Sequence, residues 1–293
     1  MALLNKSHLN AVVSLEIQEG SVYQPIATGF LIGFTVDKNP DPKLTTYRVF
    51  LVTNRHVFEG KNQIWLRFNK KNDTGSVRFS VDLVINSEKK WLAHKDPNVD
   101  LAMLTISYQF LNEQNIEWIF YPEDIIAYQK DFENIGISLG DRVFILGFPM
   151  GLSGIQQNYA LVKYGIISRV DKEIIEQAKC FLIDASIFPG NSGGPILLKP
   201  EISSIQNTKA VNSVYVLGVV SGYIPYKEIL YSHQSTPPSF AGVSMENSGL
   251  ANIVPMDFAK EIYGEWLSSN KVIEKEEKAG EKIVEEKLNT SSK

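Results

Sequence analysis

The sequence has one cysteine, four histidines, no excess of basic residues and no long hydrophobic run. The single cysteine, Cys180, excludes an intramolecular disulfide and any metal site built from several thiolates. With 29 Lys and Arg against 33 Asp and Glu, the net charge of −4 disfavours a nucleic-acid binder that works by neutralising phosphates. The longest apolar runs, such as residues 214–220, fall far short of the ~20 residues that a membrane helix needs.

The rest of the composition is that of a globular chain. Of the 293 residues, 44% are hydrophobic and 11% are aromatic, which is enough to bury a sizeable core. The apolar residues at the N-terminus are interrupted by Asn5 and Lys6, too early for the core of a signal peptide. We therefore expect a cytoplasmic protein, unless a leader has been removed ahead of residue 1.

Short β-rich runs separated by turn residues fill most of the first 250 positions. Such spacing is typical of a sandwich or barrel, whereas the alternation of strands with long helices that marks a parallel α/β sheet is missing. The sequence therefore predicts an all-β fold. The predicted strands cover residues 11–17, 26–36, 47–53, 77–84, 101–107, 142–146, 160–168, 180–185 and 213–221.

The chain divides into two strand-rich halves and a C-terminal region. We predict the halves at 1–115 and 136–255, joined by a linker at 116–135 that lacks sustained alternation. Apolar residues at helical spacing follow Pro255 and predict one amphipathic helix at 256–270. The charge-rich residues 271–293 fit either a solvated tail or a helix that docks a partner or a second copy of the chain.

The strongest chemical signal is a glycine-rich loop around Ser192. It reads Pro-Gly-Asn-Ser-Gly-Gly-Pro at 189–195 and lies between two apolar runs. Glycines allow backbone amides to approach a ligand closely, so the amides of Gly190 and Ser192 can point at one spot, as in an oxyanion hole. The competing interpretation is a glycine-rich hairpin turn, and the choice depends on whether a base and an orienting carboxylate are also present.

A candidate base and a candidate acid both occur in the first half. His56 follows an apolar strand at the point where the sequence turns polar, although a structural role is the alternative for a histidine in this position. Asp100 opens an apolar strand and needs a hydrogen-bond donor there, unless it merely caps the strand. Asp96 ranks second as the acid, because it precedes Pro97 in a polar turn, where we expect its carboxylate to be solvated.

Three segments together resemble the trypsin-like, chymotrypsin-fold serine endopeptidases, and most closely their HtrA-type bacterial members. These segments are Thr-Asn-Arg-His-Val at 53–57, Asp-Leu-Ala-Met-Leu at 100–104 and the stretch from Asp184 to Pro195, in the family's order of His, Asp and Ser. The resemblance covers roughly residues 11–266. It implies two six-stranded antiparallel barrels with a catalytic cleft between them and a C-terminal helix. No PDZ domain is expected, because few residues follow the helix.

The resemblance also implies a role for each residue. Ser192 is the nucleophile, His56 the general base and Asp100 the group that orients the histidine, while the segment Gly190, Asn191 and Ser192 forms the oxyanion hole. The implied reaction is hydrolysis of peptide bonds in protein substrates through an acyl-enzyme, with no metal and no cofactor. The alternative is a catalytically silent peptide-binding or scaffold protein on the same fold.

Two departures from the family pattern lead to further expectations. Asn191 replaces the aspartate that pairs with a newly released N-terminus in trypsin-type zymogens, so we expect no activation by N-terminal cleavage. Ser186 matches the base of the specificity pocket and supplies no anion for a Lys or Arg side chain. The remaining substrate-binding residues implied are Ser221, Gly222, Gly249 and Ala251. We expect small or medium apolar residues before the cleaved bond.

Overall fold

The structure is a computed structural model that describes residues 4–72, 75–201, 205–206, 208–232, 236 and 239–270. Short strands dominate these ranges, and no helix in them is both long and apolar enough to cross a membrane. The predicted all-β fold with a C-terminal helix is confirmed. The charged segment at 271–293 lies outside the described residues.

The first unit is a curved antiparallel sheet with the strand order β5-β4-β1-β2-β3-β9-β8. Short strands β6 and β7 form a separate pair, and β10 joins the edge of β2 in parallel. The strands of this unit are β1 (Val12–Glu19), β2 (Val22–Asp37), β3 (Thr46–Thr53), β4 (Gln63–Asn69), β5 (Ser76–Asp82), β6 (Val84–Ile85), β7 (Glu88–Lys89), β8 (Leu92–Ala93), β9 (Ala102–Thr105) and β10 (Tyr121–Pro122).

The six-stranded barrel predicted for the first half is consistent with this sheet but not confirmed, because hydrogen bonds do not close it in the described part of the chain. Seven strands lie on one path, and among the described residues β5 and β8 at its two ends do not pair. Helix α2 (Tyr108–Glu113), which follows β9, packs its Phe110 ring against Phe79 of β5 at 4.9 Å between ring centroids. At the β5 end of the sheet, the contact between helix and strand is therefore made by side chains and not by backbone pairing.

The second unit is a closed barrel of six strands in the order β11-β12-β13-β16-β15-β14. Its interior is a separate apolar cluster that includes Ile145, Phe181 and Ile253. The strands are β11 (Arg142–Gly147), β12 (Leu161–Arg169), β13 (Phe181–Asp184), β14 (Pro195–Leu198), β15 (Val216–Ser232) and β16 (Ser239–Pro255). The remaining helices are α1 (Arg55–Phe58), α3 (Phe132–Ile135), α4 (Lys172–Ala178) and the C-terminal helix α5 at 257–270.

Helix α5 returns from the second unit to cover the first sheet. The ring of Tyr263 stacks on Phe34 at 4.1 Å between centroids, and Trp266 meets Phe50 edge-on at 5.6 Å. These residues share one apolar cluster with strands of both units. The helix thus helps to hold the two units in a fixed arrangement, as the apolar spacing after Pro255 requires.

The largest departure from the predicted strands is the hairpin formed by β15 and β16. The sequence predicts that the first of these strands ends at Ser221 and predicts no strand over 239–255. In the structure both strands are 17 residues long and pair as far as Ser232 and Ser239. Their outer halves lie outside the barrel core, and most of the residues there are exposed.

Candidate active site

His56 and Asp100 are brought together by the pairing of two neighbouring strands. His56 lies in α1, directly after β3, and Asp100 lies just before β9. The ends of these strands are paired at Thr53 and Ala102. The His56 Nδ1 atom lies 2.8 Å from Asp100 Oδ2, and the His56 backbone N–H donates to Asp100 Oδ1 at 3.1 Å. The carboxylate therefore fixes both the ring and the backbone of the histidine.

A third donor to this carboxylate comes from the other unit. The Ser221 hydroxyl, on β15, donates to Asp100 Oδ2 at 2.7 Å. Burial by itself would raise the pKa of Asp100, but the hydrogen bonds from His56 and Ser221 outweigh it, and the pKa lies below its ordinary value. Asp100 is therefore ionised at neutral pH, the state that can orient and stabilise a histidine that accepts a proton.

The backbone at Asp100 is held as well as its side chain. The buried Asn54 side chain, two residues before His56, donates from Nδ2 to the Asp100 carbonyl at 2.8 Å. Neither the role of Asn54 nor the contact made by Ser221 was predicted from the sequence. For Ser221 there was no local signal, because it lies 121 residues from its partner.

The loop that carries Ser192 has all its carbonyl groups engaged. Every carbonyl oxygen from residue 186 to residue 192 accepts a hydrogen bond, and five of the seven donor atoms lie on other elements, two of them on Thr28. The donors, in the order of the carbonyls, are Lys163 Nζ, Asn247 Nδ2, Asn191 N, Met150 N, Thr28 Oγ1, Gly194 N and Thr28 N. The loop is therefore held in one conformation by bonds along its whole length.

The amide groups of Gly190 and Ser192 are free for a ligand. In the described part of the structure neither N–H donates to a protein acceptor. The Pro189 carbonyl accepts from Met150 N at 2.6 Å, and because a trans peptide points its C=O and N–H in opposite directions, the Gly190 N–H faces away from Met150. An oxyanion hole requires backbone donors that are unengaged in this way.

Gly190 must be glycine for two reasons. Its φ of +93° lies in the region that residues with a side chain rarely adopt, and an added Cβ would lie 2.2 Å from the Phe148 carbonyl oxygen. The close backbone approach expected from the glycines of this loop therefore occurs at Gly190, where the neighbouring backbone is that of Phe148.

The hydroxyl of Ser192 is not turned toward the histidine in this structure. It donates to the Ser221 carbonyl at 3.1 Å, and no hydrogen bond joins it to His56 among the described residues. Catalytic hydrogen bonds are often long or unformed without substrate and tighten in the complex. Rotation about the Cα–Cβ bond of Ser192 is the movement that would redirect its hydroxyl.

Two of the residues predicted at the site have other positions. Asn191 was included in the oxyanion hole, but its backbone N–H donates to the Phe188 carbonyl at 3.0 Å and so cannot serve an oxyanion. Its side chain is buried and its Oδ1 accepts from Phe188 N at 3.2 Å. Ala251 was predicted in the specificity pocket, but it is fully buried in the core of the second barrel, out of reach of a substrate.

The other predicted pocket residues border the loop. Ser186 is exposed, and its carbonyl accepts from Lys163, whose ammonium group also lies 4.5 Å from the centre of the Phe188 ring. Gly222 has open space where a side chain would project. Gly249 accepts from Ala185 N at 2.7 Å and has a φ of +83°.

The remaining candidates for catalysis lie elsewhere. His94 is buried and bonds Glu261 at 2.8 Å, while Asp96, the second choice for the acid, pairs with Lys179 at 3.4 Å. Cys180 is buried, its pKa is raised by burial, and it contacts Asn252 Oδ1 at 3.5 Å. His233 lies outside the described residues. In the described part of the chain, no group of three or more His, Cys, Asp or Glu side chains is arranged to hold a metal ion.

The sequence is similar to a family of known proteins. The family model for the trypsin-like peptidase domain matches residues 27–200, more than half of the chain. The chain belongs to this family. The match spans all three segments that carry His56, Asp100 and Ser192.

Distant relatives of this trypsin-like chain bear the names of serine proteases. It is 27% identical to the magnetosome formation protease MamE of Paramagnetospirillum magneticum over 51% of the chain and 17% of that protein. It is 27% identical to the serine protease Do-like HtrB of Bacillus subtilis over 51% of the chain and 27% of the relative. It is 26% identical to a serine protease DegP homolog of Plasmodium falciparum over 67% of the chain and 20% of that protein. The chain thus spans less than a third of the length of these relatives.

Proposed function

We propose that this trypsin-like chain is a serine endopeptidase. The observation that carries the proposal is the free pair of amides at Gly190 and Ser192, on a loop whose carbonyls are all engaged. The bond between His56 and an ionised Asp100 adds the second requirement, a base held in one orientation. Neither arrangement is needed for a glycine-rich turn or for a structural histidine.

The reaction divides between these groups. Ser192 Oγ attacks the carbonyl carbon of the peptide bond while His56 Nε2 accepts its proton, and the resulting oxyanion is bound by the amides of Gly190 and Ser192. His56 then protonates the leaving amine, which departs and leaves an acyl-serine. Water attacks this ester with His56 again acting as base, and the second product leaves as a carboxylate. Asp100 stays ionised and stabilises the imidazolium in each step.

Substrate preference follows from the groups beside the nucleophile. Ser186 offers no negative charge, and the Lys163 ammonium group beside it disfavours a Lys or Arg side chain in the pocket. Open space at Gly222 admits a side chain of small or medium size. We therefore keep the prediction that cleavage follows small or medium apolar residues in protein substrates.

The engaged loop also supports activity without N-terminal processing. In place of an ion pair at Asn191, bonds from Thr28, Met150, Lys163 and Asn247 hold the segment from residue 186 to residue 190. Activity of the unprocessed protein is the expected result. Appearance of activity only after removal of N-terminal residues would contradict it.

Labelling with a fluorophosphonate probe, read by intact mass and peptide mapping, tests the proposal. We expect one adduct, on Ser192, and no adduct on Ser192→Ala or His56→Ala. The second candidate, a silent peptide-binding protein, is favoured by the bond between Ser192 and the Ser221 carbonyl. Absence of an adduct on folded protein would select that candidate.

Location and assembly stay predictions. We expect a cytoplasmic protein that acts on polypeptides and binds neither nucleic acid nor membrane. Docking of a partner or of a second copy through residues 271–293 is a further prediction from the sequence.

A further inference from the structure

Arg67, on β4, is a buried arginine that uses every donor of its guanidinium group. It is 2% exposed, and a guanidinium carries five N–H donors. Nε donates to Ser76 Oγ at 2.9 Å, and Nη1 donates to Ser153 Oγ at 3.1 Å. The other three bonds go to backbone carbonyls of the second unit, at 3.0, 2.9 and 3.3 Å: those of Gly154, Ile155 and Gln157. An arginine of the first unit therefore holds the loop between β11 and β12 of the second.

Other side chains of the first unit complete this hold on residues 153–158, which we call the anchored segment. The Gln156 carbonyl accepts from Ser76 Oγ at 2.7 Å, and the Asn158 carbonyl accepts from Asn69 Nδ2 at 3.0 Å. With the three bonds from the arginine, each of the last five carbonyls of the segment accepts from a side chain of β4 or β5. The first unit therefore fixes this segment by its backbone.

A buried carboxylate balances the charge of Arg67. Glu16, on β1, is fully buried, and its Oε1 lies 3.8 Å from Arg67 Nη1. Because a buried cation without a counter-charge is strongly unfavourable, Glu16 favours an ionised arginine at this position. Arg78 donates from Nε to Oε2 of the same carboxylate. In the described part of the chain Arg78 makes no hydrogen bond to the anchored segment, so it shares the charge environment of Arg67 but not its hold on the loop.

Met150 links the anchored segment to the candidate oxyanion site. Its N–H donates to the Pro189 carbonyl at 2.6 Å. Its φ of +55° and ψ of 24° lie in the left-handed region, which residues with a side chain rarely adopt, and its side chain is 62% exposed, so packing does little to hold it there. A backbone in such a conformation persists where its surroundings determine it. Thr28 Oγ1 binds Phe148 N on one side, and Arg67 binds the anchored segment on the other.

We propose that Arg67 is a positioning residue for the oxyanion site. Its bonds to the anchored segment keep the Met150 N–H on the Pro189 carbonyl. Because the C=O and N–H of a trans peptide point in opposite directions, that bond in turn directs the Gly190 N–H into the site. The inference deepens the proposed function and rests on it. Arg67 is buried away from any substrate, so its loss should change the rate of the chemical step more than substrate binding.

Arg67→Lys tests the inference, and Arg78→Lys is the matched control. Lysine keeps the positive charge beside Glu16 but has three donors on one atom, so it cannot replace a fork that binds five acceptors. We expect fluorophosphonate labelling of Ser192 to slow by about tenfold in Arg67→Lys and by less than about twofold in Arg78→Lys. The kcat for a cleaved peptide should fall by a similar factor, with little change in KM.

Hydrogen–deuterium exchange of the Met150 amide is a readout that does not depend on activity. We expect this amide to exchange about tenfold faster in Arg67→Lys than in Arg78→Lys, because its hydrogen bond is then broken more often. Amides of β11 should keep their protection in both variants, which separates a local effect from a general loss of stability. If Arg67→Lys does not fold, Ser76→Ala takes its place, since it removes the Gln156 bond and one acceptor of Arg67. The same pattern is then expected at about two- to fivefold.

Equal exchange of the Met150 amide in the two lysine variants would overturn the inference, and so would faster exchange with unchanged labelling. Slower labelling with the Met150 amide still protected would also contradict it, because the effect would then reach Ser192 by another route. If the unmodified protein takes no label, the proposed function fails, but the exchange rates still decide whether Arg67 fixes this part of the backbone.

Discussion

The two units of the molecule hold the proposed catalytic groups in different ways. In the first unit, His56 and Asp100 are joined by two direct hydrogen bonds at the ends of paired strands. In the second, Ser192 lies on a loop with no regular secondary structure, and the loop is held by bonds to its carbonyls. The groups proposed to transfer the proton are thus positioned by a side-chain pair, and the proposed oxyanion site by the backbone.

Each unit also lends one hydroxyl group to the other. Ser221 of the second unit donates to Asp100, and Thr28 of the first donates to the Gly190 carbonyl at 2.7 Å while its backbone N–H donates to the Ser192 carbonyl at 2.8 Å. Thr28 also accepts from Phe148 N at 3.1 Å. Each half of the proposed site depends on contacts from the other unit, so the relative position of the two units would affect the proposed catalysis.

Removing the histidine should have the largest effect of any change in the first unit. We expect His56→Ala to reduce turnover by about 10⁴-fold, because the serine then has no base. The control is His8→Ala, at a histidine that stacks on Tyr121 instead. Steady-state kinetics on a cleaved peptide measure the effect. A loss below tenfold would mean that the first unit does not supply the base for Ser192 of the second unit.

Removing the hydroxyl that the first unit lends should weaken the oxyanion site. Thr28→Val keeps the volume of this buried residue but leaves Gly190 O and Phe148 N without their partner. We expect a fall of about 10 to 100-fold in the rate constant for fluorophosphonate labelling, because the phosphoryl oxygen of the probe occupies the same site.

Thr28→Ser is the matched control, since it keeps the hydroxyl and should retain most of the rate. The kcat for a cleaved peptide should fall in Thr28→Val with little change in KM, because the loop acts on the transition state. Equal rates for the valine and serine variants would make Thr28 a packing residue only.

Removing the hydroxyl that the second unit lends should have a smaller effect. Ser221→Ala deletes one of the bonds to Asp100 but leaves both bonds from His56, so we expect a fall of about tenfold in kcat/KM. Ser221→Thr keeps the hydroxyl and should stay close to the unmodified protein. Identical kinetics for the alanine and threonine variants would show that His56 alone is enough to orient the carboxylate.

The smallest effect is on the pH dependence of stability. The pKa of Asp100 is lower in the folded protein than its ordinary value, so its ionised form stabilises the fold above that value and the stabilisation is lost as pH falls through the lower, folded pKa. The difference in unfolding free energy between the unmodified protein and Asp100→Asn should therefore shrink as pH falls below about 4. Urea unfolding at pH 7, 4 and 3 measures it, and a constant difference would contradict the ionised pair.

Local sequence was enough to predict the fold class and the segments that bear the proposed site residues. The all-β class, the C-terminal helix after Pro255 and the segments that bear His56, Asp100 and Ser192 could be predicted because each depends on residues adjacent in the chain. The importance of the glycine at 190 could be predicted as well, because the backbone conformation at this position is one that residues with a side chain rarely adopt.

Contacts between distant residues could not be predicted in this way. Thr28 meets Gly190 across 162 positions and Ser221 meets Asp100 across 121, and a threonine or serine in a strand gives no local sign of a distant partner. The outer half of the hairpin formed by β15 and β16 was also missed, since it lies outside the barrel core and consists of two long strands that pair with each other. Asn191 and Ala251 were assigned to the site from their positions in the chain, but backbone direction and burial decided otherwise.

By itself, the sequence determined which chemical groups are present and in which order, because the motifs are short and their residue types are required by backbone geometry and by proton transfer. Only the tertiary structure decided which amides are free and which carboxylate is ionised beside the histidine. The physical reason is that these properties depend on the atoms within a few ångströms of each group. The packing of the two units decides which atoms those are, and the spacing of residues along the chain does not.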